Sequence, residues 1–409
     1  MKILAVNKFL YNKGGSETYI FNLFDYMKML GHEVEYFGMD DPNNIAGNSI
    51  GLDISNLNFK GNILKKASYP FKIVYSLEAR KKIGKVIQNF KPDIIHLNNY
   101  NYQVTPSILY EIKKYNIPVV QTLHDSQLVC PYHRLYNYKK KETCEKCSNG
   151  KFRNCVFDKC IDDSILKSII GAAESYIYRQ LQTYDLVDYF ISPSEFLKEK
   201  LISMKARISE NKFIVLHNFT TENIIEYNDK KKPYVLYFGR ISLEKGIQTL
   251  IEACKKLPQI KFVFVGSGEI EEDLKGISNI EFLGFKTGEA LKSLINDALF
   301  SIYPSECYEN CPMSVLESQM YGTPVIGANI GGIPELINDK KDGLLFEPGN
   351  VDDLTGKIKY LCENCEVLKL YSLRCIQKVK KFHLKHYSEK LLQIYNMSIK
   401  KHLNEGRLL

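Results

Sequence analysis

The chain has 409 residues, an apolar fraction of 44% and a formal charge of +8 from 55 basic and 47 acidic side chains. The apolar fraction is that of a globular protein, and the length exceeds one ordinary core, predicting two domains of about 200 residues. No stretch approaches the roughly 18 uninterrupted apolar residues of a membrane span, and MKILAVNKFL runs into YNKGGSE without the cleavage site of a signal peptide, so a cytoplasmic protein is expected, at most peripheral on the cytoplasmic membrane face.

The first segment, MKILAVNKFLYNKGGSETYIFNLFDYMKMLGHEVEYFG, reads as strand, glycine-containing loop, helix, strand. This is a βαβ unit, whose right-handed crossover makes its strands parallel. Gly14 and Gly15 permit close backbone approach at the strand end, with Ser16 as helix cap. A plain tight turn would look the same. The pair is not G-x-G-x-x-G, which argues against a dinucleotide dehydrogenase.

Residues 61–91 carry Lys65, Lys66, Lys72, Arg80, Lys81, Lys82, Lys85 and Lys91 against Glu78 alone. Ile63, Leu64, Phe71, Ile73, Val74, Leu77, Ile83, Val86 and Ile87 interleave with them. The stretch suits an anionic membrane surface or an ordinary solvated helix face. The stacking aromatics that nucleic acid asks for are missing, so no nucleic-acid partner is expected.

Buried strands follow at 93–98, 118–124, 189–194 and 213–218. His124 ends the second of these beside Asp125, placed either to touch a ligand or to be held by a structural hydrogen bond. Cys130, Cys144, Cys147, Cys155 and Cys160 come next, with His133 among them. Four of the five could bind a structural zinc; free thiols and disulfides are the alternatives, and an iron–sulfur cluster fits the spacing too. The insert is expected to shape the acceptor side of a ligand cleft. Cys362 and Cys365 read as ordinary helical residues.

The charged segment 220–233 reads as a linker. A second βαβ pattern, PYVLYFGRISLEKGIQTLIEACKKLPQIKFVFVG, then opens a second doubly wound domain. Between its strand and helix, Arg240 offers a planar fork of donors and Lys245 a mobile ammonium; together they could neutralise a diphosphate, or they are two basic residues of a solvated loop.

Strands at 299–304 and 323–328 bracket ECYENCPMSVLESQMYGTP. Pro312 suits the first turn of a helix and Gly322 the position past its end, which puts Glu309 in the preceding loop and Glu317 on the helix. Two carboxylates about 10 Å apart are far for a hydrolytic acid/base pair but suit the two ends of a ligand rich in hydroxyls. The amides near Cys311, Pro312 and Met313 would face an anion at the helix start. Hydroxyls at both ends and phosphate in the middle describe a nucleotide sugar. In open parallel sheets ligands bind beyond the carboxyl ends of the strands, where Gly14, Gly15, His124, Arg240 and the Glu309 loop fall. The tail FHLKHYSEKLLQIYNMSIKKHL has helical spacing.

Over nearly its whole length the chain resembles a family 4 glycosyltransferase of the GT-B fold, through GGSET, TLHDS, ISPSEFLKEKL, YFGRISLEKGIQTLIEA, VFVGSGE, PSECYENCPMSVLESQMYGTPVIGANIGGIPELI and DGLLFEPGN. The implied α/β fold is two facing doubly wound Rossmann-like domains with a cleft between them. The acceptor-side domain would span 1–219 with the Cys-rich insert at 130–160, the nucleotide-sugar domain 220–385, and a helix at 386–409 would pack back on the first domain.

By the same resemblance, Glu309 and His124 would meet the donor sugar as catalytic groups, Glu317 the ribose, and Arg240 and Lys245 the diphosphate above Gly14 and Gly15. Transfer would retain configuration without metal or cofactor, the donor's phosphate oxygen assisting deprotonation of the acceptor. Asn310 and Cys311 stand where many relatives carry Gly or Phe, a departure that bears on donor specificity. The expected activity is hexosyl transfer from a UDP- or GDP-sugar to a growing glycan, a lipid-linked intermediate of a surface polysaccharide. An epimerase or phosphorylase of the same fold, or a non-catalytic subunit binding nucleotide sugar or glycan, are the alternatives.

Overall fold

Parallel strands dominate the computed structural model, which describes residues 1–56, 69–221 and 226–406. The chain forms two units, one of Met1–Leu135, Glu145–Leu216 and Tyr387–Leu409, the other of Tyr136–Cys144 and His217–His386. Residues 61–68 of the basic stretch, 222–225 of the linker and 407–409 of the tail lie outside the described residues.

In chain order the strands are β1 (Lys2–Val6), β2 (Glu33–Phe37), β3 (Ile94–Leu97), β4 (Val119–Thr122), β5 (Tyr136–Asn137), β6 (Glu142–Thr143), β7 (Tyr189–Ser192) and β8 (Phe213–Val215). The first unit's sheet runs β2-β1-β3-β4-β7-β8, parallel throughout. Ile3, Leu4, Ala5 and Val6 of β1 are fully buried, as a strand covered on both faces requires. Ser76 and Ser194 cap the Leu77–Phe90 and Glu195–Ser203 helices by accepting the amides of Ala79 and Leu197, both at 3.1 Å. Ser16 does not cap: its hydroxyl donates to Glu17 at 3.1 Å, and Gly14 occupies the cap position of the Gly15–Met29 helix without a side-chain bond.

The Leu77–Phe90 helix turns Ile83, Val86, Ile87 and Phe90 into the core, so this part of the basic stretch spends its apolar face on the fold. Lys82 pairs with Glu78 at 2.7 Å, and Phe71 and Leu77 remain exposed. No helix among the described residues is long and apolar enough to cross a membrane.

From Tyr387 onward the Leu384–Gly406 helix belongs to the first unit. The hydroxyls of its Tyr387 and Tyr395 bond to Tyr19 and His96, and Lys401 and His402 both reach Asp188 at 3.0 Å. Burial would raise the Asp188 carboxyl, but His402, the Val119 amide and Lys401 outweigh it and hold the group at about 2.

The second unit continues with β9 (Tyr234–Phe238), β10 (Lys261–Val265), β11 (Ile280–Phe282), β12 (Phe300–Tyr303), β13 (Val325–Ala328) and β14 (Gly343–Phe346). Their order, β11-β10-β9-β12-β13-β14, is that of a dinucleotide-type doubly wound sheet, and it reverses direction between β9 and β12. Phe262, Phe264, Phe300, Ile326 and Phe346 lie among its buried core, each contributing about 1.5–3 kcal/mol by leaving water. The antiparallel β5–β6 hairpin also belongs to this unit, although it lies within the Cys-rich insert.

Candidate functional site

The switch point of the second sheet gathers the residues singled out around Glu309. After β9 the backbone turns through Arg240, forms a short turn at Leu243–Lys245 and enters the Ile247–Lys256 helix. After β12 it passes Ser305 and Glu309 before the Met313–Met320 helix. The two loops are joined by the Glu306 amide donating to the Glu244 carbonyl at 3.0 Å and by the Thr249 hydroxyl donating to Glu306 at 2.5 Å.

Lys245 and Glu309 form an ion pair, with side-chain exposures of 16% and 14%. The Lys245 ammonium lies 3.4 Å from the Tyr303 hydroxyl, and Ser305 donates to the same Glu309 oxygen at 2.9 Å. Burial opposes charge on both groups. It is outweighed at Glu309 by Lys245, Ser305 and Arg240, which hold the carboxyl below its usual range, and at Lys245 by Glu309, Tyr303 and Cys307, which hold the ammonium well above. Both are therefore charged across the physiological range: a fixed cation for phosphate beside a fixed acceptor for hydroxyls.

Arg240 is half exposed and bonds to Glu244 at 3.1 Å, while Tyr237 donates to its carbonyl at 2.6 Å. Glu244 is itself buried, and its second oxygen has no partner among the described residues. The guanidinium is thus tethered at one edge, leaving other donors of its fork at the surface.

Pro312 is the cap residue of the Met313–Met320 helix rather than a member of its first turn. The extended backbone there, ψ 119°, still spares a helical amide. Gly322, at φ +59°, follows the helix end as expected, and Glu317 lies on the helix. Cys311 is buried; its sulfur accepts from the Asn218 amide at 3.3 Å and its carbonyl from the Asn218 side chain at 2.8 Å, so the residue anchors the loop. Burial pushes its thiol up to about 12. Ser305, Tyr303, Glu244, Glu306 and Thr249 were not singled out from the sequence; only their position at the end of β12, just after it, or between Arg240 and the first turn of the Ile247–Lys256 helix could have drawn attention to them.

Gly331 is the second loop's backstop. Its φ is +63°, and a Cβ there would stand 2.5 Å from the Glu309 carbonyl oxygen and 2.6 Å from its nitrogen. Next to it, the Gly332 amide donates to the Glu309 carbonyl at 2.6 Å. The G-G-x-P-E segment therefore sets the backbone of Glu309.

In the first unit, Gly14 has an extended φ of −170°, and a Cβ at Gly15 would meet nothing within 4 Å. Neither the backbone conformation of Gly14 nor packing around Gly15 demands glycine here. His124 follows β4; its Nε2 lies 3.0 Å from the Asn98 side-chain oxygen and its ring meets Tyr19 edge-on at 5.0 Å. Surrounding protein lowers its pKa to about 4 against the pull of Asp125, so the ring is neutral at physiological pH.

Among the described residues no group of three or more His, Cys, Asp or Glu is placed to hold a metal. The five cysteines considered as zinc ligands, Cys130, Cys144, Cys147, Cys155 and Cys160, make up no such group here. Cys147 and Cys155 instead pack with Phe152 and Ala172, with Cys160 against them. The Cys155 and Cys160 thiols bond to each other, and Cys144 belongs to the other unit.

Comparison with known proteins bears on the family and the fold. The glycosyl transferases group 1 profile matches residues 219–381, and the Glycosyltransferase Family 4 profile matches 13–149, so together they cover more than half of the chain. Sulfoquinovosyl transferase SQD2 of Arabidopsis thaliana is 27% identical over 323 residues, 77% of this chain; the chain spans 58% of that relative's length. A glycosyltransferase from Rickettsia africae ESF-5 superposes with a TM-score of 0.68 at 21% identity, covering 98% of both chains. Anabaena HepE, solved in complex with UDP, gives 0.68 at 16% identity, covering 97% of this chain and 100% of its own. With two parallel six-stranded sheets and these matches along its length, the chain belongs to the family 4 glycosyltransferases and has the GT-B fold.

Proposed function

We propose that the chain transfers a hexosyl group, with retention, from a nucleotide-sugar donor to a growing glycan, a lipid-linked intermediate of surface polysaccharide synthesis. The observation that carries the donor part is the Lys245–Glu309 pair at the β9/β12 switch point, a cation for phosphate and a carboxylate for sugar hydroxyls on one wall. Lys245 and Arg240 hold the diphosphate, Glu309 the donor sugar and Glu317 the ribose. Gly14, Gly15 and His124 carry the donor-side roles that the family resemblance gives them. UDP is the first nucleotide to test because HepE was solved with it.

In the step itself an acceptor hydroxyl oxygen bonds to C1 of the donor sugar while the bond from C1 to the phosphate oxygen breaks. The electron pair leaves with the nucleoside diphosphate, and the hydroxyl proton passes to the departing phosphate oxygen. Lys245 and Arg240 stabilise the charge that gathers there. No protein nucleophile is called for.

A thermal-shift panel of UDP, GDP and ADP with their sugar conjugates tests the reading, since binding to the native state raises apparent stability. One nucleotide should stabilise the wild type and not Arg240→Ala. Release of that nucleotide together with a new glycosidic bond separates transfer from epimerisation and phosphorolysis. Donor binding without turnover, across a range of acceptors, would favour a non-catalytic binding subunit.

A further inference from the structure

The first sheet also has a switch point, between β1 and β3, and a cavity of about 400 Å³ opens there. All of its lining lies in the first unit and includes Lys8, Lys13, Gly14, Asp125, His133 and Arg134. The acidic groups on this wall are committed. Glu17 is buried and accepts from the side chains of Asn7 at 3.2 Å and Ser16 at 3.1 Å. Asp125 takes the Gln127 amide at 2.9 Å and pairs with His133 Nδ1 at 3.4 Å.

The two lysines are not committed. Neither ammonium makes a hydrogen bond or an ion pair among the described residues; both lie against the Phe9 ring, 4.8 Å and 3.6 Å from its centroid. Burial and the charge of Lys13 draw Lys8 below the ordinary lysine range, against Asp125 and Glu17. Two like charges gathered on one ring repel each other, and an oxyanion between them would relieve the repulsion through charge-assisted hydrogen bonds.

Elsewhere in the same lining is a surface for a polyol. His133 has a left-handed backbone, φ +68°, and stacks on Tyr102 with centroids 5.0 Å apart and planes at 9°. Asp125 is held in its ionised form by His133 and the Gln127 amide, which outweigh burial. Its Oδ2 lies on the Nδ1 side of the ring, 3.4 Å away, which leaves Nε2, buried and without a partner among the described residues, free to meet a hydroxyl.

We propose that this cavity binds the glycan acceptor and selects one carrying an oxyanion, a phosphate or a carboxylate, held by Lys8 and Lys13 while a sugar hydroxyl forms a hydrogen bond with His133 Nε2. The inference rests on the glycosyl-transfer reading and narrows its acceptor. A phosphate would come from a lipid carrier's headgroup, a carboxylate from an acidic sugar of the glycan itself.

The test is calorimetric titration of the full chain, with UDP saturating, by glucose 1-phosphate, glucuronic acid and methyl glucoside. One or both anionic probes should bind at least about tenfold more tightly than methyl glucoside, and the preferred one names the source of the oxyanion. Lys13→Met, at an exposed position, and Lys8→Met/Lys13→Met should each weaken that probe, the double variant by about tenfold or more, while leaving the UDP thermal shift unchanged. Equal affinity for charged and neutral probes, unaltered affinity in both variants, or no binding of any probe would overturn the proposal. Anion-selective binding that depends on the lysines, in a protein that no nucleotide stabilises, would uphold the cavity's preference and strike the transfer reading instead.

Discussion

Gly331→Ala tests how Glu309 is placed without substituting any residue assigned to the donor. The new Cβ would sit 2.5 and 2.6 Å from backbone atoms of Glu309. Ordinary carbon contacts begin near 3.5 Å, so the Glu309 segment must retreat by about 1 Å. Backbone atoms cannot rotate away as a side-chain tip would, so the shift reaches the Glu309 carboxylate and its pairing with Lys245. Holding alanine at φ +63° costs about 1–2 kcal/mol, and losing the Gly332-to-Glu309 hydrogen bond about 1 kcal/mol more. A displacement of about 1 Å in a positioning element can lower turnover about a hundredfold.

Gly276→Ala is the matched control: φ is +78°, yet nothing lies within 4 Å of the added carbon. It should show the backbone penalty alone. Urea midpoints and donor turnover measured on both variants separate the two effects. A Gly331→Ala enzyme with wild-type turnover, or a Gly276→Ala enzyme as impaired as Gly331→Ala, would refute the claim that contact with this glycine sets the Glu309 loop.

Other consequences are open to direct measurement. Glu309→Gln should lower turnover more than nucleotide affinity, whereas Lys245→Ala, which leaves the mostly buried Glu309 carboxylate without its cation, should impair both and cost about 2 kcal/mol in stability, read by turnover, nucleotide titration and urea unfolding. His96 and His124 are held neutral, with pKa values lowered by burial from 6.5 to about 3 and about 4. Because the unfolded chain takes up these protons first, their contribution is complete above pH 6.5 and fades as pH falls toward 4; urea midpoints should drop over that window and drop less in His96→Gln. Glu174, buried beside Asn101, has the opposite sign: burial raises its carboxyl from 4.5 to about 7, so it withdraws stability as pH rises across that interval. Glu174→Gln should match the wild type at pH 4.5 and exceed it by about 3 kcal/mol at pH 8, and an identical pH profile for the two proteins would contradict this.

The elements legible beforehand were those whose signal is local. β1, β3, β9 and β12 are runs of apolar, β-branched or aromatic residues ending in polar, glycine or proline punctuation, and the burial of both faces leaves little room for any other pattern. β11, with three residues, β14, inside DGLLFEPGN, and the two-residue strands of the β5–β6 hairpin were not read as strands. Length alone is not the reason, since β3 and β12 have four residues like β14, and β8 has three like β11; β5, β6, β11 and β14 are defined as strands by pairing with a neighbour. Ser16 failed as a cap for a related reason: two residues compete for one role, and the backbone at Gly14 decides between them.

Periodicity, punctuation and motif spacing were enough to call two doubly wound domains and to single out Lys245 and Glu309, because those signals come from residues near in sequence. The ion pair joining these two, the hold of Ser305 on Glu309, the pressure of Gly331 behind it, the packing of Cys147, Cys155 and Cys160 beside Phe152 and the two lysines on Phe9, unpaired among the described residues, are all matters of tertiary structure. Most of these contacts join segments far apart in sequence. Even Lys8 and Lys13, five positions apart, were distinguished only when the fold set them on one ring and left them without a carboxylate partner among the described residues, because charge pairing depends on distances of a few ångströms that spacing along the chain does not convey.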